Sequence, residues 1–399
     1  MATGGGARRA EPTAEDRFMD GYFNDVRHHF PNATDFKRAR AAYQSSKPQI
    51  ITAPRIRDVK DERRVLYSAP SRTVMTVRGK DSLNDPDSVL TVMKLHQVHS
   101  REEKKHSSAL YRELLMHMYV QRREAELRKN KPHRLFAVCE PYWYKFRTCV
   151  GFELEYFPSG TLRELVCSVA DEDERLGFLR DAARGLHFLN SRLGIVHFDV
   201  KPTNICIYIR EDCERFAKLI DFGSAVFAGQ LVDRRNRRLL GDTIRYRPPE
   251  LFARPRKWIG EDFCAVCPSA DSWRFGLCVL ELMTRSKVPV WIEAKYSDPV
   301  YVEFVRSNRF CMPGAHKLTD GYPLKFPGRS ISNVPECALR LLHGLLRPNA
   351  AERMSMEAVI RQIDLHFKSD SEPPVYSEPP VFRKPPVDRE PPVYSKSPV

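Results

Sequence analysis

IVHFDVKPTNICI, residues 195–207, and AKLIDFGSA, residues 217–225, decide how this chain is read. Each sets polar groups between apolar runs. That is the pattern of a loop between buried strands that presents side chains at a site. The first loop offers His197, Asp199, Lys201 and Asn204; the second offers Asp221 and then a flexible glycine, Gly223. Two carboxylates and an amide suit an oxygen-ligated Mg2+ and a base for a hydroxyl nucleophile. A lysine beside them offers positive charge to a transferring phosphoryl group.

Upstream, TVMTVRG (73–79) and SVLTVMKL (88–95) read as strands flanking the turn-rich KDSLNDPD. Residues 102–127 read as one long helix. Alternation puts Leu90, Val92 and Lys94 on one strand face, where an unpaired lysine is costly. On the helix, Glu113 sits on the apolar stripe of Leu110, Leu114 and Met118. An inward acid and an inward base in consecutive elements invite an ion pair; the alternative is that both snorkel to water. Beyond Gly160 the patterns are helical, as in LRDAARGLHFLNSRL (179–193) and SWRFGLCVLELMT (272–284). Strands first and helices later predict an α+β protein of two lobes.

The chain has 399 residues, enough for a large core. It contains no apolar run of ~18 residues, so no transmembrane helix is expected. Its start, MATGGGARRAEPTAEDRF, has no apolar signal-peptide core. An intracellular location, cytoplasm or nucleus, follows as the expectation, with the ten cysteines as reduced thiols. The net charge is +14, partly from local runs such as RRNRR at 234–238. Aromatics are not interleaved with these charges, so specific nucleic-acid binding is not expected; without a long apolar run, no membrane partner is expected either.

The two ends differ from the middle. Residues 1–62 are polar and read as a loosely ordered extension with one or two short helices. Residues 369–399 are a proline-rich tail in which EPPVYS, EPPVFR, KPPVDR and EPPVYS follow one another. Proline pairs remove amide donors and fix φ, which predicts an extended polyproline II segment without a core. Pro373–Tyr376 and Pro391–Tyr394 both read PPxY, the ligand motif of WW domains, so WW-domain proteins are candidate partners.

The central motifs resemble the eukaryotic protein-kinase superfamily, in the family's order, over about residues 63–367. HFDVKPTN resembles the catalytic loop and DFG the metal-binding segment. IRYRPPEL resembles the end of the activation segment, and DSWRFG the start of the large C-lobe helix. VMKL with Lys94, RELL with Glu113, FELEYFPSGTL as the hinge and the segment around Arg353 complete the set. The resemblance implies a bilobal kinase fold, with an N-lobe over 63–156 and a C-lobe over 157–368. It implies ATP and Mg2+ as cofactors and serine or threonine hydroxyls of proteins as acceptors. Asp199 would take or orient the hydroxyl proton, and Lys201 would neutralise the γ-phosphate. Asn204 and Asp221 would hold Mg2+, and Lys94, paired with Glu113, would bind the α- and β-phosphates. Leu154 takes the gatekeeper position, with backbone groups of Glu155 and Phe157 meeting adenine. Glu250 and Arg353 would pair within the C-lobe.

Four features depart from the family pattern. Tyr67, Ala69 and Arg72 stand where three glycines belong, which holds backbone amides away from phosphates. Val92 replaces a small residue over adenine. Phe198 replaces the arginine that commonly grips an activation-segment phosphate, so activation by phosphorylation there is not expected. The stretch from Glu250 to Asp271 is longer than the pattern and carries Cys264 and Cys267, which read as structural thiols because no second ligand pair accompanies them. The missing glycines leave a second reading open, a catalytically weak kinase-fold scaffold acting through its surfaces and PPxY tail. In divergence, compact C-lobe and repeat tail the chain resembles kinases of large DNA viruses such as herpesviruses, which makes a host cell the expected compartment.

Overall fold

A computed structural model describes residues 37, 41, 49–52, 65–69, 72–78, 90–97, 101–129, 134–139, 142–145, 149–165, 171–210, 213–233, 243, 246–251, 263–285, 334–347 and 349–369. The turn at 80–87, RRNRR at 234–238, most of the N-terminal extension and the tail from 370 lie outside the described residues.

The upper lobe is a six-stranded sheet. Its strands are β1 (Gln49–Thr52), β2 (Val65–Ala69), β3 (Arg72–Arg78), β4 (Leu90–Gln97), β5 (Tyr142–Lys145) and β6 (Cys149–Glu155), in the spatial order β1-β5-β6-β4-β3-β2. β1 runs parallel to β5, and the other neighbours are antiparallel. The sheet therefore draws its edge strand from residues read above as extension. QIIT is a β-branched run that needs only main-chain pairing to add to an edge, a signal too short to stand out in a polar stretch.

Helix α1 (Arg101–Leu127) packs on this sheet. Leu110, Tyr111, Leu114 and Leu115 are buried with Phe152 and Leu154 of β6. β6 must cross β4 closely: a Cβ on Gly151 would stand 2.5 Å from the Lys94 carbonyl oxygen. That approach fixes the strand carrying the lysine.

The lower lobe is mainly helical: α2 (Leu162–Leu165), α3 (Glu172–His187), α4 (Ser269–Thr284), α5 (Glu336–Leu345) and α6 (Met356–Ser369). Asp171 caps α3 by accepting from the amides of Asp173 and Glu174, and acids fill its first turn. A π-helical turn, Phe188–Leu193, extends α3 and ends at Gly194 with φ 65°. α4 is buried all round from Ala270 to Met283, the mark of a central core helix. No helix among the described residues is long and apolar enough to cross a membrane.

Short strand pairs line the junction between the lobes. β7 (Ile195–Val196) pairs with β10 (Val226–Phe227), β8 (Ile205–Ile209) with β9 (Arg215–Leu219), and β11 (Leu231–Asp233) with β12 (Phe263–Ala265). The two loops quoted first emerge from these strands.

Arg353 fastens the lower lobe. Its Nη1 and Nη2 donate to the two oxygens of Glu250 at 2.7 and 2.6 Å, its Nε donates to the Arg347 carbonyl at 2.7 Å, and the guanidinium lies 5.1 Å from the Trp273 ring. Breaking a buried pair leaves a charge without compensation. Arg353→Ala is expected to destabilise the fold by about 3 kcal/mol, and Arg353→Lys by less, because lysine keeps charge but cannot span both oxygens. Urea denaturation of the three proteins checks this; equal midpoints would contradict it.

Candidate active site

Lys94 leaves β4 fully buried, and two acids meet it. Its Nζ lies 2.5 Å from Glu113 Oε1 on α1 and 3.1 Å from Asp221 Oδ1. Of the two outcomes open for Lys94 and Glu113, the structure shows the ion pair. Asp221 comes from the lower lobe, so the lysine ties sheet, helix and lower lobe together.

Asp221 adopts φ 66° and ψ 77°, the left-handed region that a non-glycine residue enters at a cost. Its carboxylate accepts the Gly223 amide. Arg112, beside Glu113 on α1, donates to the Gly223 carbonyl at 3.1 Å. Phe222 points between His117 and His197, with ring centroids at 4.5 and 5.5 Å.

The other loop centres on Asp199. Lys201 Nζ lies 2.5 Å from its Oδ2, and Asn204 Nδ2 donates to the Asp199 carbonyl at 2.8 Å. Thr243 completes the set. Its hydroxyl donates to Asp199 Oδ1 at 2.9 Å and accepts from Lys201 at 2.8 Å. Sequence reading did not pick out Thr243, because it lies 42 residues beyond Lys201 with no spacing rule between them.

Beneath this loop lies Asp271, fully buried on α4. It accepts the amides of His197 at 2.8 Å and Phe198 at 2.9 Å, and Asn190 Nδ2 at 3.0 Å. Phe198 is another non-glycine residue in the left-handed region, at φ 66°. The buried carboxylate holds that backbone in place.

The two loops are also joined directly. The Ile220 amide donates to the Asn204 carbonyl at 3.0 Å, and His197 Nε2 lies 3.0 Å from the Ile220 carbonyl. Asp199, Lys201, Asn204, Asp221, Lys94 and Glu113 thus form one connected constellation. Asp221 contributes a carboxylate to it and Asn204 a side-chain amide. Among the described residues no group of three or more His, Cys, Asp or Glu is placed to hold a metal ion. A sparse oxygen set fits Mg2+, which takes its remaining ligands from phosphates and water.

Glu155 and Phe157 stand at the connection between the lobes. Glu155 exchanges hydrogen bonds with Val138 through its amide at 2.8 Å and its side chain at 2.9 Å. Its other oxygen lies 2.7 Å from Lys218 Nζ on β9, and Lys218 in turn sits 4.0 Å from the Tyr208 ring. Sequence reading also missed this clamp across the connection. The Phe157 carbonyl accepts the Gly160 amide at 2.9 Å, and its ring is buried beside Ala137 and Cys206. Leu154 is paired in register with Val92. The glycine-poor hairpin pairs Ala69 with Arg72 across its tip.

His117 was not singled out from the sequence either, since a helical stripe hides one histidine among leucines. It is fully buried, and burial with Lys94 nearby lowers its pKa to about 3. A histidine neutral when folded but protonated when unfolded makes the unfolded state bind more protons between about pH 3 and about 6.5. Stability is therefore lost as pH falls through that window. His117→Leu is expected to remove about 1 kcal/mol per pH unit of this slope. Denaturation midpoints measured from pH 7 to 4 check it; parallel curves would contradict it.

The protein kinase domain family matches residues 81–363. The chain is 32% identical over 173 residues to the serine/threonine-protein kinase SBK1 of Mus musculus, covering 43% of this chain and 38% of that protein. It is 36% identical over 157 residues to SBK1 of Danio rerio, covering 39% and 37%. Aurora kinase C of Mus musculus is 27% identical over 242 residues, covering 60% of this chain and 73% of that protein. The chain thus spans under two fifths of the length of the SBK1 proteins it matches.

Proposed function

The chain belongs to the protein kinase domain family, and on that premise we propose that it transfers the γ-phosphate of ATP to serine and threonine hydroxyls of proteins. The observation that carries this is the bridge of Lys94 to both Glu113 and Asp221, beside an Asp199 already engaged by Lys201 and Thr243. A kinase needs its phosphate-binding lysine and its metal-binding aspartate in place at once.

In this reading Asp199 orients the acceptor hydroxyl and takes its proton. Lys201 stabilises the charge on the transferring group, and Thr243 fixes the position of both. Lys94 binds the α- and β-phosphates, held there by Glu113. Backbone groups of Glu155 and Phe157 receive adenine under Leu154. Asn204 and Asp221 would hold Mg2+, which supplies charge neutralisation on the phosphates. The glycine-poor hairpin supports the second reading, a scaffold that binds nucleotide weakly and works through its surfaces.

Lys94→Met and Asp221→Ala are each expected to lower phosphoryl transfer at least ~100-fold, since each removes charge stabilisation of the transferring phosphate. Transfer of labelled phosphate to a mixed protein substrate checks this. Near wild-type rates in both variants, with unchanged melting temperatures, would rule the assignment out.

The proposal extends to setting and partners. The repeat tail and missing glycines support a place among divergent kinases resembling those of large DNA viruses, acting in the cytoplasm or nucleus of a host cell. Pro373–Tyr376 and Pro391–Tyr394 are the proposed sites for WW-domain proteins. A tandem WW protein should bind the full chain, lose binding when Tyr376 and Tyr394 are both changed to Ala, and bind more weakly after either change alone. Undiminished binding by the double variant would refute the sites.

A further inference from the structure

The segment that follows Asp221 is tied down on both sides. On one side β10 pairs with β7, and the Ala228 amide donates to the Gly194 carbonyl at 2.8 Å. The chain then turns at Gly229, whose φ of 86° suits glycine. On the other side β11 pairs with β12, in the register Leu231↔Ala265, Val232↔Cys264 and Asp233↔Phe263. Two bonds continue that ladder, from the Gly229 amide to the Val266 carbonyl at 2.8 Å and from the Val266 amide to the Gln230 carbonyl at 2.9 Å. β12 lies in the stretch between Glu250 and Asp271 that is longer than the family pattern.

An apolar cluster fills the space beneath. Phe198, Val196, Val226, Leu251, Val266 and Ala270 are buried together, with the Arg274 guanidinium 5.0 Å from the Phe198 ring. A phosphate placed against Phe198 would be desolvated by these side chains. Apolar packing thus surrounds the position where the family pattern has an arginine.

We propose that β12 is a built-in substitute for an activating phosphate. By pairing with β11, and by leading into Val266, which is buried in one cluster with Phe198, it holds Val226–Asp233 in place and so favours Thr243 at Asp199 and Lys201. The kinase is then competent for protein substrates without modification of that segment. This rests on the kinase reading above, so its test carries a readout independent of phosphoryl transfer.

Val266→Pro removes the amide that donates to Gln230 while keeping an apolar side chain. Expected are faster tryptic cleavage at 234–238 and a kcat/KM for protein substrate about 10-fold lower, from misplacement of the acceptor. The melting shift caused by Mg-ATP should not change. If Val266→Pro does not fold, Val232→Cys decides, made together with Cys267→Ser. It places a cysteine opposite Cys264, within the Cα separation a disulfide spans. The oxidised, cross-linked protein should cleave more slowly and keep the transfer rate of its reduced form. Phosphatase-treated wild type should keep its rate as well. Unchanged cleavage in Val266→Pro, loss of transfer on cross-linking, or loss on phosphatase treatment that rephosphorylation restores would each overturn the proposal. If wild type transfers no phosphate at all, the kinase reading fails and the cleavage measurements alone judge the clamp.

Discussion

A buried carboxylate with three donors holds the centre of this molecule. Asp271 sits in the core helix α4 and binds the backbone amides of His197 and Phe198 together with Asn190. A non-glycine residue in the left-handed region costs of the order of 1–3 kcal/mol. Charge-assisted hydrogen bonds contribute about 1.5–3 kcal/mol each, so two of them offset that strain. The loop can therefore bend sharply at Phe198 and present Asp199 while its base stays fixed to the core.

The upper lobe is attached to this platform by charge and by rings. Lys94 reaches Asp221 across the junction, and Arg112 on the same helix as Glu113 grips the Gly223 carbonyl. Phe222 packs between one histidine from each lobe. On the far side, Lys218 and Glu155 bind the connecting strand to the β8–β9 hairpin. Buried ion pairs of this kind add little stability over apolar packing. What they contribute is a fixed arrangement, because moving either partner away leaves a buried charge exposed to an apolar wall.

Local chemistry made much of this legible in the sequence. HFDVKPTN and DFG carry their polar groups between apolar strands, and the inward Lys94 and Glu113 violate their own apolar faces, so each announced a site. Arg353 and Glu250 were likewise marked by motif. Thr243 and Lys218 were not, because their partners are set by how distant segments fold together rather than by spacing. His117 looked like one more core position on a helical stripe. β1 and β12 are too short for alternation to register, and a strand of Phe263–Ala265 exists only because β11 lies alongside to pair with it. Apart from His117, what the sequence did not mark depends on how distant segments come together.

The central claim is that Asp199 works on a hydroxyl acceptor whose phosphate comes from a nucleotide held at Lys94. The most direct measurement is labelled phosphate transfer by the wild type and by Asp199→Asn, followed by phosphoamino-acid analysis. Asparagine keeps the shape of the side chain and its bond to Thr243 but cannot accept the proton. The account predicts phosphoserine and phosphothreonine from the wild type and near-complete loss of both in the variant, with Mg-ATP binding retained. Equal labelling by the two proteins, or label confined to tyrosine, would contradict it.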